Sequence, residues 1–461
     1  MRILPALLVV VGCVTSLGAA EDASATAPAR KLNVLMIVSD DLNMHLGCYG
    51  DRVVQTPNID RFAARGMRFD RAYCQYPVCN PSRTSFLSGL YPETTGVVNQ
   101  LAVLRQKMPD VVYLPEYFKS HGYFTAGIGK VQHGGHDDCK WDFKFEPREK
   151  GGDEGEGDKA PAPVAEKGKR DDRLPYALSR QVEDDDPNLM DLKIAATAMN
   201  TLEEKRDQPF FLVVGFHRPH VPHIAPKRYF DLYPLQKMQL SVVPPNDADD
   251  IPRIAIASNK NYRPDMPDAQ KRDIIAAYLA CVSFMDAQVG RVMEAMDKNK
   301  LWDNTIVIFM SDHGWGFGEH NWWAKASLFE PSARGPLVVV APGFEANRTC
   351  GRVVEYIDLY PTLAELCALP APAKVEGKSF APLLRDPAQM WDKVGRTIIN
   401  RPNGLGRSIC DERYRYTKWP GENVVELYDH QTDPGENTNL AKDPKFADVL
   451  KVMDKRLSEH P

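Results

Sequence analysis

Two patterns of apolar residues divide this chain. Continuous apolar runs occur at 33–39, 123–128, 209–216, 305–310 and 337–340. Runs of this length without polar alternation read as strands buried on both faces of a parallel sheet. Between them, apolar residues recur at helical spacing. Ile59, Phe62, Ala63 and Met67 mark one such segment, and others cover 114–121, 189–205 and 360–368. The longest, 273–298, carries Ile274, Tyr278, Val282, Met285, Val289, Val292 and Met296 on one stripe, which reads as core rather than as a cofactor box. From about Gly377 the pattern changes to short strands and turns, followed by a last helix at 446–458. The reading is an α/β protein: a mostly parallel central sheet flanked by helices over 31–376, then a smaller α+β subdomain over 377–461. The stretch 142–186, rich in glycine, proline and acid, cannot bury a core and reads as a surface insertion. No internal repeat is present.

The ends of the apolar runs carry the chemistry. The first run ends in Asp40 and Asp41 and the fourth in Asp312 and His313. The second delivers Lys130 and His133, and the third delivers His217 and His220. Parallel sheets bind ligands at the carboxyl ends of their strands, and carboxylates gathered there suit a hard divalent cation. Taken singly, Asp-Asp after a strand also serves as a turn or helix cap, and Lys130 with His133 also reads as a solvated pair. Cys79-Asn80-Pro81-Ser82-Arg83 adds a cysteine at a helix start, because proline is tolerated in the first turn. An anion is favoured at such a terminus. A buried cysteine at an ordinary helix start is the plainer alternative.

Composition narrows the function. The 461 residues are 43% hydrophobic and 26% charged with a formal charge of −5, which excludes a general polyanion-binding surface and so a nucleic-acid partner. An anionic substrate must then be held by a few local cations such as Arg83, Lys130 and Lys325. Residues 1–20 have an early Arg2, an apolar run and small residues before Glu21, the pattern of an export signal. Nothing later supplies the roughly 20 apolar residues of a membrane span, so a periplasmic or secreted protein is expected. Apart from Cys13 in the leader and Cys79, seven cysteines remain, an odd number that leaves at least one thiol unpaired.

Cys-x-Pro-Ser-Arg followed by Leu87-Ser88-Gly89 resembles the signature of type I sulfatases of the alkaline phosphatase superfamily. Further blocks, Gly129-Lys130-Val131 with His133, Gly215 to His220, Ser311 to Trp315, and Trp323-Ala324-Lys325, are similar in type and order to the iduronate-2-sulfatase-like branch. The resemblance implies an alkaline-phosphatase-like fold and conversion of Cys79 to Cα-formylglycine by a formylglycine-generating enzyme. It also implies one calcium ion (Ca2+) held by Asp40, Asp41, residue 79, Asp312 and His313. In the same way it implies that Arg83, Lys130 and Lys325 serve the sulfate, His217 acts as acid and His133 as base. The expected activity is hydrolysis of sulfate esters on polysaccharide-derived sugars by an exported enzyme. A phosphate or phosphonate ester hydrolase of the same fold, and a non-catalytic binder of sulfated glycans, stand as alternatives. Leu90-Tyr91-Pro92-Glu93 lacks the arginines that the iduronate pattern has there, which weakens a heparan or dermatan substrate. Asn99, His220, His223, Trp322, Trp323 and Arg334 are candidates to line a sugar pocket.

Overall fold

Strand Asn33–Asp40 is buried at every position and forms the middle of an eight-stranded sheet. In this computed structural model, which describes residues 31–134, 139–147, 178–184, 186–256 and 260–459, the spatial order of that sheet is Arg348–Glu355, Met67–Tyr73, Leu337–Val340, Thr305–Ser311, Asn33–Asp40, Phe210–Pro219, Phe124–Gly129 and Phe143–Phe145. The first strand pairs in parallel with both Phe210–Pro219 and Thr305–Ser311. Leu337–Val340 runs antiparallel to both its neighbours, so the sheet is mostly but not wholly parallel. The expected leader at 1–20 and most of the 142–186 insertion lie outside the described residues. Near the ends of that insertion, Phe143–Phe145 forms the sheet edge, and Ser179–Val182 pairs with His223–Pro226.

The continuous apolar runs follow from a sheet covered on both faces. Leu35, Ile37, Leu212, Val214, Val307 and Phe309 belong to one core cluster, together with helices Met190–Lys205 and Asp268–Lys298. Their alternates Val34, Met36, Val38, Phe211, Val213 and Ile308 belong to a second, with Leu359, Leu363 and Phe118. Successive side chains of a strand point to opposite faces, so apolar cover on both sides removes the alternation. Helix Asp268–Lys298 is long and apolar enough to cross a membrane, yet 89% of its most apolar window is buried inside the protein.

The C-terminal subdomain is a four-stranded antiparallel meander, Gly395–Arg401, Gly404–Cys410, Tyr414–Lys418 and Val425–Asp429. Helix Ala447–Ser458 closes it, with Met453 and Leu457 in a cluster with Ile409, Tyr416 and Leu427. Both sheets belong to one compact unit from Leu32 to Pro461. Arg415 ties them together, its Nε donating to Glu436 Oε1 at 2.6 Å while its Nη2 pairs with Glu330. The eight cysteines among the described residues are all free thiols.

Candidate active site

Two neighbouring strands end in acids, and the backbone knots them together. Asp40 is the last residue of its strand, and Asp41 turns out of the sheet with φ 63°. The Asp41 N–H donates to Asp312 Oδ1 at 3.1 Å, and the Asp312 N–H donates to the Ser39 carbonyl at 3.2 Å. The Tyr278 hydroxyl donates to the Asp41 carbonyl at 2.6 Å, fixing the left-handed turn from beneath. All four of Asp40, Asp41, Asp312 and His313 are fully buried.

Helix Cys79–Ser88 faces this edge with its N-terminus, following extended Val78 and ending at Gly89. Every residue of it is buried, polar ones included, so it is a core element rather than an amphipathic surface helix. The Cys79 thiol lies at the centre of the cluster. Its Sγ is 3.0 Å from Lys325 Nζ, 3.5 Å from His313 Nε2 and 3.7 Å from Asp41 Oδ1. Lys325 Nζ also donates to Asp41 Oδ1 at 2.9 Å, and Lys130 Nζ pairs with Asp40 Oδ2. Burial and Asp40 push the thiol's pKa up, but Lys130, Lys325 and a hydrogen bond from His133 hold it well below the ordinary thiol range.

Arg83 and His217, two residues with expected roles, have distinct surroundings. Arg83 does not face open space. It is fully buried, donating to Asp312 Oδ2 at 2.9 Å, to Asp40 Oδ1 at 3.1 Å and to the carbonyls of Lys130 and Val131. Its planar fork joins Asp40 and Asp312 to the Lys130–Val131 backbone. His217 is enclosed, with its Nε2 lacking a hydrogen-bond partner, and burial and Lys130 hold it well below the usual histidine range. His220, three residues on, also stands at the acids, with Nε2 3.7 Å from Asp41 Oδ2, while Asp40 acts on His217. The sequence signal for His220 was the second histidine of Gly-Phe-His-Arg-Pro-His, read there only as pocket lining.

The donor set fits a hard cation. Ligand atoms of Asp41, Cys79, Asp312 and His313 all lie within 4.8 Å of one another, and so do those of Asp40, Asp41, Cys79 and His220. Asp41 Oδ2 is buried yet accepts no hydrogen bond, which is costly for a carboxylate unless a cation completes it. Burial pushes Asp312 up to about 7 against the pull of His313 and Arg83. Burial likewise raises Asp41 against Lys325 and His220, whereas at Asp40 burial is overcome by Lys130, His220 and Arg83, which hold it well below the carboxylate range, so the under-compensated acids are Asp41 and Asp312. Elsewhere, Trp322 and Trp323 are buried in the core rather than laid open as a stacking surface, and His223 is buried against Tyr278 and Trp315. Asn99 accepts at its carbonyl from Asn80 Nδ2 at 3.0 Å, so its loop is latched to the residue after Cys79.

A cluster of acids that fits a cation at the carboxyl edge of a mostly parallel sheet, with lysines converging on one reactive residue, suits the hydrolysis of anionic esters. The sulfatase family model matches residues 32–368, and that of the N-sulphoglucosamine sulphohydrolase C-terminal region matches 318–461. The chain is 32% identical to a sulfatase of Formosa agariphila, covering 96% of this chain and 89% of that one. It is 35% identical to the iduronate 2-sulfatase of Mus musculus, covering 95% of each. A phosphonate monoester hydrolase of Agrobacterium radiobacter shares the fold, with a TM-score of 0.78 at 22% identity over 93% of this chain and 95% of that one. This chain belongs to the sulfatase family and is a sulfuric ester hydrolase. The family in general binds a metal and depends on formylglycine.

Proposed function

We propose that this protein is an exported sulfatase that removes a sulfate ester, favoured at the 2-position, from a uronic acid or hexose of a polysaccharide. Calcium held by Asp40, Asp41, Asp312 and His313 around residue 79, together with the hydrated formylglycine made from Cys79, would supply an acidified hydroxyl for attack at sulfur. In the structure Cys79 Sγ stands in for the oxygens of that hydrate. Lys325, 3.0 Å from Cys79 Sγ, and Lys130, which also lowers the Cys79 thiol's pKa, bind and neutralise the sulfate oxygens. His220 Nε2 holds the proton given to the departing sugar oxygen, a role that the sequence pattern alone assigned to His217. His133, hydrogen-bonded to residue 79, takes a proton there when sulfate is released. Arg83, bonded to Asp40 and Asp312, fixes their orientation.

The observation that carries this reading is the convergence of Lys325, His313 and Asp41 within 3.7 Å of one buried cysteine at a helix N-terminus. The 2-position and the uronic acid rest on the 35% identity to an iduronate 2-sulfatase. Export rests on the residue pattern of 1–20. A second reading, a phosphate or phosphonate ester hydrolase, is favoured by the shared fold with the phosphonate monoester hydrolase. Protein co-expressed with a formylglycine-generating enzyme should be assayed on matched sulfate and phosphate esters and on defined sulfated oligosaccharides of glycosaminoglycan and algal origin. Sulfate release from a 2-sulfated saccharide is expected. Faster turnover of the phosphate or phosphonate ester would favour the second reading, and turnover of aryl sulfates alone would remove the carbohydrate.

A further inference from the structure

Arg401, the last residue of strand Gly395–Arg401 in the C-terminal sheet, is only 9% exposed and has no carboxylate partner among the described residues. Its Nε is buried without an acceptor, and its guanidinium carbon lies 5.8 Å and 5.7 Å from the ring centroids of Trp322 and Trp419. A buried cation without a counter-charge is a poor way to hold a sheet to a core, because an apolar side chain of similar volume packs there without a desolvation cost. What the arginine does hold is backbone. Its Nη2 donates to the Ala326 carbonyl at 3.0 Å and to the Ala255 carbonyl at 3.4 Å.

Ala326 follows Lys325, and the backbone around that lysine is unusual. Ala324 has φ 66° and Ala326 has φ 71°, so Lys325 stands between two left-handed residues that carry a Cβ. Such conformations persist only where surrounding contacts enforce them. Several contacts enforce them, among them the pairing of Trp323–Ala324 with Gly316–Phe317 and the bond from Ser332 Oγ to the Ala324 carbonyl at 3.5 Å. The Lys325 carbonyl accepts from Asn261 Nδ2 at 2.9 Å and from Trp322 Nε1 at 3.0 Å, and the Ala326 N–H donates to the Pro77 carbonyl at 3.0 Å. Arg401 supplies the contact on the Ala326 carbonyl, and it comes from the other sheet. At the far end of the same residue, Lys325 Nζ is 3.0 Å from Cys79 Sγ.

We propose that Arg401 is a positioning residue of the active site: it locks the strained turn at Ala326 so that Lys325 keeps its ammonium against residue 79. The C-terminal sheet thereby completes the geometry of the sulfate site without touching substrate. The inference rests on the sulfatase reading for its kinetic consequence but not for its structural one.

The test compares full-length matured protein with Arg401→Met and Arg401→Lys. Turnover of 4-nitrophenyl sulfate is measured per formylglycine, alongside Tm and hydrogen–deuterium exchange of the 324–328 amides. Arg401→Met is expected to keep or raise Tm, since it removes a buried unpaired charge. It should lower kcat roughly 10- to 100-fold, the size expected on losing a charged hydrogen bond that holds a reacting group. Exchange at 324–328 should speed up by at least about tenfold, and Arg401→Lys should restore part of both losses. Combined with Ala326→Gly, where a left-handed φ costs little, Arg401→Met should have a smaller effect than it has alone. A lower Tm with unchanged kcat and exchange would make Arg401 merely structural and overturn the proposal, as would no change in either readout. If wild-type protein turned over no sulfate ester, the sulfatase reading would fail, while the exchange comparison would still decide the role of Arg401. Should Arg401→Met not fold, Arg401→Lys carries the same readouts: wild-type kcat and exchange with a lowered Tm would overturn the proposal.

Discussion

At the scale of single residues, the site is a balance of buried charge. Four acidic or thiol groups, Asp40, Asp41, Asp312 and Cys79, all fully buried, meet the cations of buried Arg83 and of Lys130 and Lys325, which keep a little exposure to solvent. Cys79→Ala should abolish turnover while leaving far-UV circular dichroism unchanged, because Lys325 keeps its bond to Asp41 and only one buried sulfur is lost. Residual turnover near the wild-type rate would show that residue 79 is not the reacting group. Asp41 Oδ2, buried without a hydrogen bond, leads to a second expectation. Calcium at about 100 times its Kd should stabilise the protein by about 2.7 kcal/mol and raise Tm, with chelator reversing the gain. Asp312→Asn should lose most of that increment. A Tm indifferent to calcium, magnesium and chelator alike would count against a cation at these carboxylates.

At the scale of elements, glycines let two adjacent strands deliver their ends to one point. Gly129 has φ 79°, and a Cβ there would lie 2.1 Å from the Gly215 carbonyl oxygen. A Cβ at Gly215 would lie 1.9 Å from the Lys130 carbonyl oxygen. This close approach is what the Lys130 N–H uses when it donates to the Gly215 carbonyl at 2.9 Å, turning the lysine over its neighbour strand toward Asp40. Gly215→Ala must push backbone against backbone, which no rotamer change relieves. It should destabilise the fold by about 2–3 kcal/mol and displace Lys130. Urea denaturation checks this: a midpoint equal to that of wild type would mean that the two strands separate at no cost.

At the scale of the whole molecule, the two sheets are held together by buried ion pairs as well as by apolar contact. Arg415 bridges Glu330 and Glu436, and His430 Nε2 lies 2.8 Å from Glu436 Oε1. Burial alone would raise Glu436, but Arg415 and His430 pull it down to about 2. A carboxyl with a depressed folded-state pKa contributes stability that is present above its unfolded value, near 4.5, and is lost as pH falls toward 2. Wild-type Tm should therefore drop across that window. Glu436→Gln should be less stable at neutral pH, since it leaves Arg415 under-compensated, and its Tm should fall less steeply below pH 4.5. Parallel pH profiles for the two proteins would show that Glu436 carries no proton-linked stability.

Local pattern along the chain was enough to determine the fully buried strands, the long helices, the change of architecture after the first domain and the residues at the strand ends, but not the partly exposed strands Met67–Tyr73, Arg348–Glu355 and Phe143–Phe145; Met67, expected on a helix, opens the first of them. The legible elements depend on neighbours in sequence: side chains alternate faces in a strand and repeat every 3.6 residues in a helix, so burial writes itself into periodicity. Cys79 with Pro81 and Arg83, and the Lys130 and Lys325 blocks, were legible for the same reason, as short motifs of adjacent residues. Only the tertiary structure decided which of these side chains face one another. Asp41 meets Asp312 across 271 residues and Arg83 meets Asp312 across 229. Arg83 therefore meets Asp40 and Asp312 directly, and His220 joins His217 beside the acids. Arg401 left no local mark at all, because its partner, the Ala326 carbonyl, lies 75 residues away in another layer, and the strain it opposes is a property of φ, which periodicity does not record.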